Sequence, residues 1–362
     1  MKFIHVSDIH LNSKMETSLS SQKAKERKKE LLLTFSRMID YARDNNVEGI
    51  IIAGDLFDTE SINKSTKDYV ISCITKNPDI TFLYLCGNHE KTAFIDSLDS
   101  VPSNLVTFGN DWTYYQFKNN IVVSGINITR DNHKSLYSSL ELSKDNTNIV
   151  VMHGQVSKYF SKDNYEIINL TELKNKNIDY LALGHIHSYT IDTLEDTTKY
   201  CYPGCLEGRG FDECGAHGFV VLDINGKEIT HTFVPFAKRT LREISIDISS
   251  ASNTHDVDNL IRKELQSISK DSLLKINLTG NIAEDINIDT EILSSALNEL
   301  YYFAKVLNKT KLNINIDNYK NDISIKGEFV RTVLNSNLPL EEKEQIIITG
   351  LKALNGESDL RE

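Results

Sequence analysis

Five short stretches of this chain end in side chains able to hold a divalent cation. Asp8 and His10 stand two apart in SDIH; IIIAGDLFD brings Asp55 and Asp58; FLYLCGNHE brings Asn88, His89 and Glu90; IVVMHG brings His153; YLALGHIHS brings His185 and His187. The donors are carboxylate, carboxamide and imidazole, with no thiolate. That set suits Mn2+, Fe2+ or Zn2+ in a catalytic site better than a Cys-rich structural zinc. Asp8, His10, Asp55, Asn88, His153, His185 and His187 are too many ligands for one ion in a compact site. They suit two ions sharing a bridging carboxylate, an arrangement that hydrolyses phosphate esters by generating hydroxide and stabilising charge on the phosphoryl oxygens.

Singly, each stretch has a blander reading. A D-x-H is more often a hydrogen-bonded pair at a strand end, GDxxD can cap a turn or helix, and GNHE can be a turn. The ordered set is what carries weight. Each member sits just past an apolar, strand-like run, often after a glycine that lets the chain turn sharply. Sites collect at strand ends in α/β sheets. For Asp8 and His10 the expectation is that a strand points both the same way, as it does residues i and i+2.

The elements that must position these residues read as follows. Strands are expected at Lys2–Ser7, Gly49–Ala53, Thr81–Leu85, Ile121–Gly125, Asn148–Met152, Tyr180–Leu183, Lys199–Tyr202, Gly218–Asp223 and Ile229–Phe236. A helix spans about 21–45, with Leu32, Phe35, Ile39 and Ala42 on one face. The fold class is α/β: a two-sheet β-sandwich flanked by helices, followed by a small α+β capping domain. Residues 1–238 form the first domain and 239–330 the second. In the second, strands are expected at Leu241–Ile248, Leu273–Leu278 and Val306–Ile316, and helices at Asp256–Ile268 and Thr290–Phe303. Residues 331–362 form a helical tail, with an amphipathic stretch at Leu340–Leu354 that either docks a partner or packs on the cap.

A length of 362 residues suits two domains, and 25% charged with 40% hydrophobic residues is ordinary globular composition. No apolar run approaches the roughly 20 residues that span a bilayer, so no membrane role is expected. No signal peptide is seen, and five cysteines make an odd count; both point to the cytoplasm. The net charge of −11 argues against binding nucleic acid by bulk charge alone. A local basic run, KAKERKK at Lys23–Lys29, is read either as a phosphate contact or as a solvated helix face. Cys201, Cys205, Cys214 and His217 lack the spacing of a familiar zinc knuckle and are read as core or loop residues.

D-x-H, GDxxD, GNHE, a lone His and GHxH, in that order over residues 1–235, resemble the signature of the calcineurin-like metallophosphoesterases. The resemblance implies a dinuclear centre. One ion would take Asp8, His10, Asp55 and His187; the other would take Asp55, Asn88, His153 and His185, with Asp55 the bridge. His89 would be the catalytic histidine that assists the leaving group. Asp58 would lie near His89 or act as a ligand. YPGCLEGRGFDECGAHGF narrows the resemblance to the DNA-repair nucleases of the SbcD type, with Gly204, Arg209, Glu213 and Gly218 where that pattern expects them and Cys205 where Ser is common. This implies a Mn2+-dependent exo- and endonuclease acting on DNA (Fe2+, Zn2+ or Mg2+ being alternatives), with Arg209 a substrate contact. It also implies a homodimer and a partner, an SMC-like coiled-coil ATPase of the SbcC type. The rival readings are a small-molecule phosphatase or cyclic-nucleotide phosphodiesterase of the same fold, and a non-catalytic scaffold.

Overall fold

The computed structural model describes residues 1–15, 19–90, 92–157, 166–283, 286–313, 316–319 and 321–354. The chain divides into two compact units, Met1–Arg242 and Glu243–Glu362. The first contains two six-stranded sheets. One runs in the order Glu228–Pro235, Gly218–Asn225, Lys2–Val6, Gly49–Ala53, Thr81–Leu85, Leu105–Thr107; the other runs Thr190–Glu195, Thr198–Tyr202, Tyr180–Gly184, Thr147–His153, Ile121–Gly125, Thr113–Gln116. The central strands of both pair in parallel. This is the expected helix-flanked sandwich.

Strand alternation explains the layers. Phe3, Ile51, Ala53 and Leu83 point into a core shared with Val123, Ile149, Val151 and Ala182 of the facing sheet. Their neighbours Ile4, Val6, Ile50 and Ile52 point the other way, against Leu31, Phe35, Met38, Ile39 and Ala42 of the helix Ser21–Asp44. Burying each such side chain contributes about 1.5–3 kcal/mol. The helix starts at Ser20, whose hydroxyl accepts from the Lys23 amide. A polar pair, His5 and the Tyr180 hydroxyl, sits between the sheets. His5 is fully buried, with Nδ1 3.1 Å from the Tyr180 hydroxyl and Nε2 3.1 Å from the Leu183 carbonyl.

The edge strands Leu105–Thr107, Thr113–Gln116 and Thr190–Glu195 were not expected from the sequence; two are short, and the third is mostly polar. The second unit has a three-stranded sheet, Leu241–Asp247, Leu273–Thr279 and Phe303–Asn308, with helices Thr254–Leu265 and Thr290–Asn298. The latter helix ends five residues before the expected Phe303. The Asn298 carboxamide turns the chain there, donating to Ser294 O and Ala304 O and accepting from Ala304 N. Phe303 instead opens a strand that pairs in parallel with Leu273–Thr279. The expected strand Val306–Ile316 is instead two, Phe303–Asn308 and Lys311–Asn313, the second pairing in parallel with Asn281–Ala283; residues 314–315 lie outside the described residues.

Within this unit Ile325–Leu334 and Leu340–Leu354 form a helical hairpin, closed by Val330, Val333, Ile347 and Leu351. The first of these helices was missed, and it straddles the expected division at 330/331. The final stretch, 355–362, lies outside the described residues. No helix among the described residues is long and apolar enough to cross a membrane.

Candidate metal centre

Asp8 and His10 do not lie on a strand. The first strand ends at Val6, and both residues adopt left-handed backbone, φ +50° and +49°. Asp55 (φ +52°) and His185 (φ +106°) do the same. The expected strand alternation is therefore not what aims Asp8 and His10. Two loops zipped together do it: the Asp8 amide donates to Gly54 O at 3.1 Å, His10 to Asp55 O at 2.9 Å and Leu11 to Leu56 O at 2.8 Å. Left-handed backbone costs an L-residue roughly 1–2 kcal/mol. Neighbouring glycines make the approach possible. A Cβ on Gly87 would fall 1.8 Å from Asp55 Oδ1, and one on Gly54, itself at φ +94°, would fall 2.1 Å from His153 Nδ1.

The side chains then converge. His10 Nε2 faces His187 Nε2 at 3.2 Å. Asp55 Oδ2 lies 3.8 Å from His10 Nε2 and 3.4 Å from His153 Nε2. Asp8 Oδ1 lies 3.8 Å from His187 Nε2, and both Asp8 oxygens accept from the His185 amide at 3.0 Å. Asn88 Oδ1 is 3.2 Å from His153 Nε2. Three tight clusters of donors result: Asp8, His10 and His187; Asp8, Asp55 and His153; His10, Asp58 and His89. Asp8 belongs to two of them, and Asp55 reaches both His10 and His153, so either aspartate spans the two halves. The His185 ring packs edge-on to His153 at 5.4 Å between centroids and belongs to none of the three.

These residues fit a divalent cation on their own chemistry. In His153 and His187 the outer ring nitrogen is engaged away from the centre, which leaves the inner one as a donor. His153 Nδ1 gives its proton to Ala53 O at 2.9 Å, and His187 Nδ1 is 2.7 Å from Glu213 Oε1. His10 Nδ1 lies 3.2 Å from Asp58 Oδ1 without hydrogen-bond geometry. The inner nitrogens face each other and buried carboxylates: Asp8 and His10 are fully buried, and Asp55 is 2% exposed. Such an arrangement calls for positive charge. Burial disfavours charge on His153, yet its contact with Asp55 raises it to about 9. Burial likewise opposes ionisation of Asp55, but the His153, His10 and His89 imidazoles hold that carboxyl well below the usual range. The same carboxylates that favour positive charge on His153 would favour a cation between these side chains.

Around the centre, partners fix orientation. Glu213, 6% exposed, accepts from the Arg209 amide and guanidinium and from His187. Burial opposes its ionisation, and these bonds outweigh it, holding the carboxyl well below its ordinary value. Arg209 also reaches Asp58 Oδ1 at 3.0 Å, so its guanidinium is spent on carboxylates of the site rather than on an open face. His89 Nδ1 is 3.2 Å from the Asp58 carbonyl, and its amide is 3.2 Å from Asp55 Oδ1. Glu90, fully buried, accepts from the Leu56 and Phe57 amides at 3.0 and 2.6 Å and from Tyr84 at 2.8 Å. It ties the Asp55 loop to the Asn88 loop. Burial and the Asp55 charge push it up to about 8. The sequence displayed Glu90 and Glu213 but gave no sign of which loops they join.

Two further stretches resolve plainly. Cys201, Cys205, Cys214 and His217 join none of the clusters of possible metal ligands among the described residues; Cys205 Sγ lies 3.2 Å from His217 Nδ1. In KAKERKK, Arg27 is 1% exposed and bonds Glu30, Glu207 and Gly208 O, which anchors the long helix to the 205–209 loop.

Residues 1–189 match the calcineurin-like phosphoesterase family. The chain is 24% identical over 350 residues to a DNA double-strand break repair protein Mre11 of Sulfolobus acidocaldarius, covering 92% of this chain and 86% of that one. It is 25% identical over 324 residues to the protein of that name from Sulfurisphaera tokodaii, covering 84% and 78%. A dimetal phosphatase from Danio rerio superposes on 61% of this chain and 92% of its own, with a TM-score of 0.44 at 12% identity.

Proposed function

The chain belongs to the calcineurin-like phosphoesterase family, and from that premise we propose that it is a dinuclear, Mn2+-dependent DNA phosphodiesterase, an exo- and endonuclease of double-strand-break processing. The observation that carries the reaction class is the inward-facing donor set, with His10 and His187 nitrogen to nitrogen beside buried Asp8 and Asp55. Similarity to the Mre11 proteins over most of the chain supports DNA as the substrate.

Asp8, His10, Asp55 and His187 would hold one cation, and Asn88, His153 and His185, with Asp55, would hold the other. When bound, the two ions activate water and offset charge on the phosphoryl oxygens. The chain's own residues do the rest. The oxygen of water forms a new bond to phosphorus and sheds a proton to solvent, while the bond from phosphorus to the ribose oxygen breaks and that oxygen takes a proton from Nε2 of a protonated His89. Nδ1 of His89 rests on the Asp58 carbonyl, which leaves Nε2 to act. Asp58 and Glu213 orient His10 and His187, and Arg209 locks both carboxylates in place.

A net charge of −11 gives little intrinsic hold on a phosphate backbone. This suits a cytoplasmic homodimer that borrows DNA affinity from an SMC-like coiled-coil ATPase. The hairpin Ile325–Leu334 and Leu340–Leu354 is the proposed docking element; it leaves Ile325, Leu340 and Leu354 exposed. The test is cleavage of linear and hairpin-ended DNA with Mn2+, wild type against Asp55→Ala, with bis-p-nitrophenyl phosphate in parallel. Cleavage by wild type alone supports the reading. Turnover of small monoesters, with neither DNA nor the diester attacked, replaces it with a phosphatase.

A further inference from the structure

Glu207 buries a carboxylate outside the metal centre, with 1% of its surface exposed. Its Oε2 accepts from Arg27 Nη2 at 3.1 Å, and its Oε1 accepts from the Thr34 hydroxyl at 2.7 Å and from the Lys238 amide. Arg27 and Thr34 stand on the helix Ser21–Asp44; Lys238 follows the strand Glu228–Pro235. Taking a carboxylate and a guanidinium out of water costs several kcal/mol for each ion, and such a pair is often no more stabilising than apolar side chains of the same volume. Packing alone does not call for this carboxylate. What its bonds fix is position.

The residues that follow show what is positioned. Arg27 Nη2 also donates to Gly208 O at 2.9 Å, so one guanidinium grips the Glu207 side chain and the next backbone carbonyl together. Gly208 is pressed against the turn beyond it: a Cβ there would fall 2.9 Å from Glu213 O and 3.0 Å from His217 Nε2. Arg209 comes next. Its amide donates to Glu213 Oε2 at 2.7 Å, and its guanidinium reaches Glu213 Oε1 at 2.7 Å and Asp58 Oδ1 at 3.0 Å. Three consecutive residues thus bond outward to the helix and inward to the two carboxylates behind His187 and His10.

The connection is one-sided. His10 and His187 face each other and fall to the same ion in the reading above. The other ion draws on His153 and Asn88, which are braced from elsewhere. His153 Nδ1 rests on Ala53 O at 2.9 Å, and Glu90 ties the Asn88 loop to the Leu56 and Phe57 amides.

We propose that Glu207 is a positioning residue for the metal centre. Clamped by Arg27, Thr34 and the Lys238 amide, it sets where Arg209 and Glu213 stand, and through them it aims His187 and His10 at one ion of the pair. It acts on that ion only through these residues. This deepens the dinuclear reading above and rests on it.

The experiment is titration calorimetry of the full chain with Mn2+, comparing wild type with Glu207→Ala and Thr34→Val. In Glu207→Ala the Arg27 guanidinium keeps Glu30 and Gly208 O, so no buried cation is left unpaired. One of the two ions should bind about tenfold more weakly, the lower end for loss of a partner behind a ligand, and the other should stay within about twofold of wild type. Thr34→Val keeps the shape and removes one hydrogen bond to Glu207. It should shift the same ion by about threefold, and it decides the matter should the Ala variant not fold. Hydrolysis of bis-p-nitrophenyl phosphate adds a second reading: excess Mn2+ should restore kcat in both variants, with KM for the ester unchanged. A merely structural lesion favours neither ion and is not cured by metal. Equal weakening of both ions, or affinities unchanged in both variants, overturns the positioning role and leaves the dinuclear centre standing. Wild type that binds fewer than two Mn2+ overturns the parent reading instead.

Discussion

His10 and His187 meet Nε2 to Nε2 at 3.2 Å, although 177 residues separate them in the chain, and each has a carboxylate behind it. Two neutral imidazoles cannot both donate at that contact, and two lone pairs repel. One proton or one cation between them resolves it. The carboxylates behind, Asp58 and Glu213, keep the inner nitrogens turned inward.

Glu213→Gln removes the charge behind His187 but keeps the shape. Loss of such an orienting partner costs about 10–100-fold in metal affinity or activity. Titration calorimetry with Mn2+ should show one of two ions weakened by that factor. Equal weakening of both ions would argue for general damage to the fold rather than a role through His187.

The His89 amide donates to Asp55 Oδ1 at 3.2 Å, a bond that His89→Ala keeps, and its ring lies with His10 and Asp58. His89→Ala should lower kcat on DNA by about 10²–10⁴-fold, with metal content measured by elemental analysis staying near that of wild type. The defect should shrink on bis-p-nitrophenyl phosphate, whose leaving group needs no proton. A defect of the same size on both substrates removes the proton-delivery role.

Arg27 lies among Glu30 and Glu207 with 1% of its surface exposed. Arg27→Ala leaves buried Glu207 without a cationic partner, while Glu30 keeps Arg239, and should destabilise the first unit by about 3 kcal/mol, read as a lower urea midpoint. The slope of DNA affinity against salt should not change. A slope reduced by about one counterion would instead make Arg27 a phosphate contact.

His5 gives a pH signature. Burial lowers it from 6.5 to about 3, against the opposing hydrogen bond to Leu183 O. The unfolded state therefore binds a proton that the folded state refuses between those values. The contribution of neutral His5 is fully present above pH 6.5 and is lost as pH falls toward 3, at up to about 1.4 kcal/mol per pH unit. Urea unfolding of wild type and His5→Gln at pH 7, 6 and 5 isolates it: the gap between them should narrow as pH falls. A constant gap means His5 does not titrate on unfolding in that range.

The residues whose donor atoms the structure gathers were legible in the sequence by type and order, and so were the central strands: Gly49–Ala53, Thr81–Leu85 and Ile121–Gly125 have the bounds their apolar runs suggested. Both follow from local facts. Ligand chemistry is a property of residue type, and a strand buried on both faces must be apolar throughout. The helix at 290–303 misled because its apolar residues run on unbroken into the strand that begins at Phe303.

What only the tertiary structure decided is how donors that lie far apart in sequence come to one point. Asp8 and His10 are aimed by left-handed turns zipped to the Gly54–Leu56 loop, not by a strand, and that conformation is paid for by long-range hydrogen bonds with no local pattern. Arg27 looks like a surface cation in its basic run, yet it is buried because Glu207 lies 180 residues away and next to it in space. Arg209 carries a charge with no partner visible in its sequence neighbourhood beyond Glu213, yet its guanidinium also meets Asp58, 151 residues away. Residue type sets which partners a charged side chain accepts; only the packing of distant segments sets which one it meets.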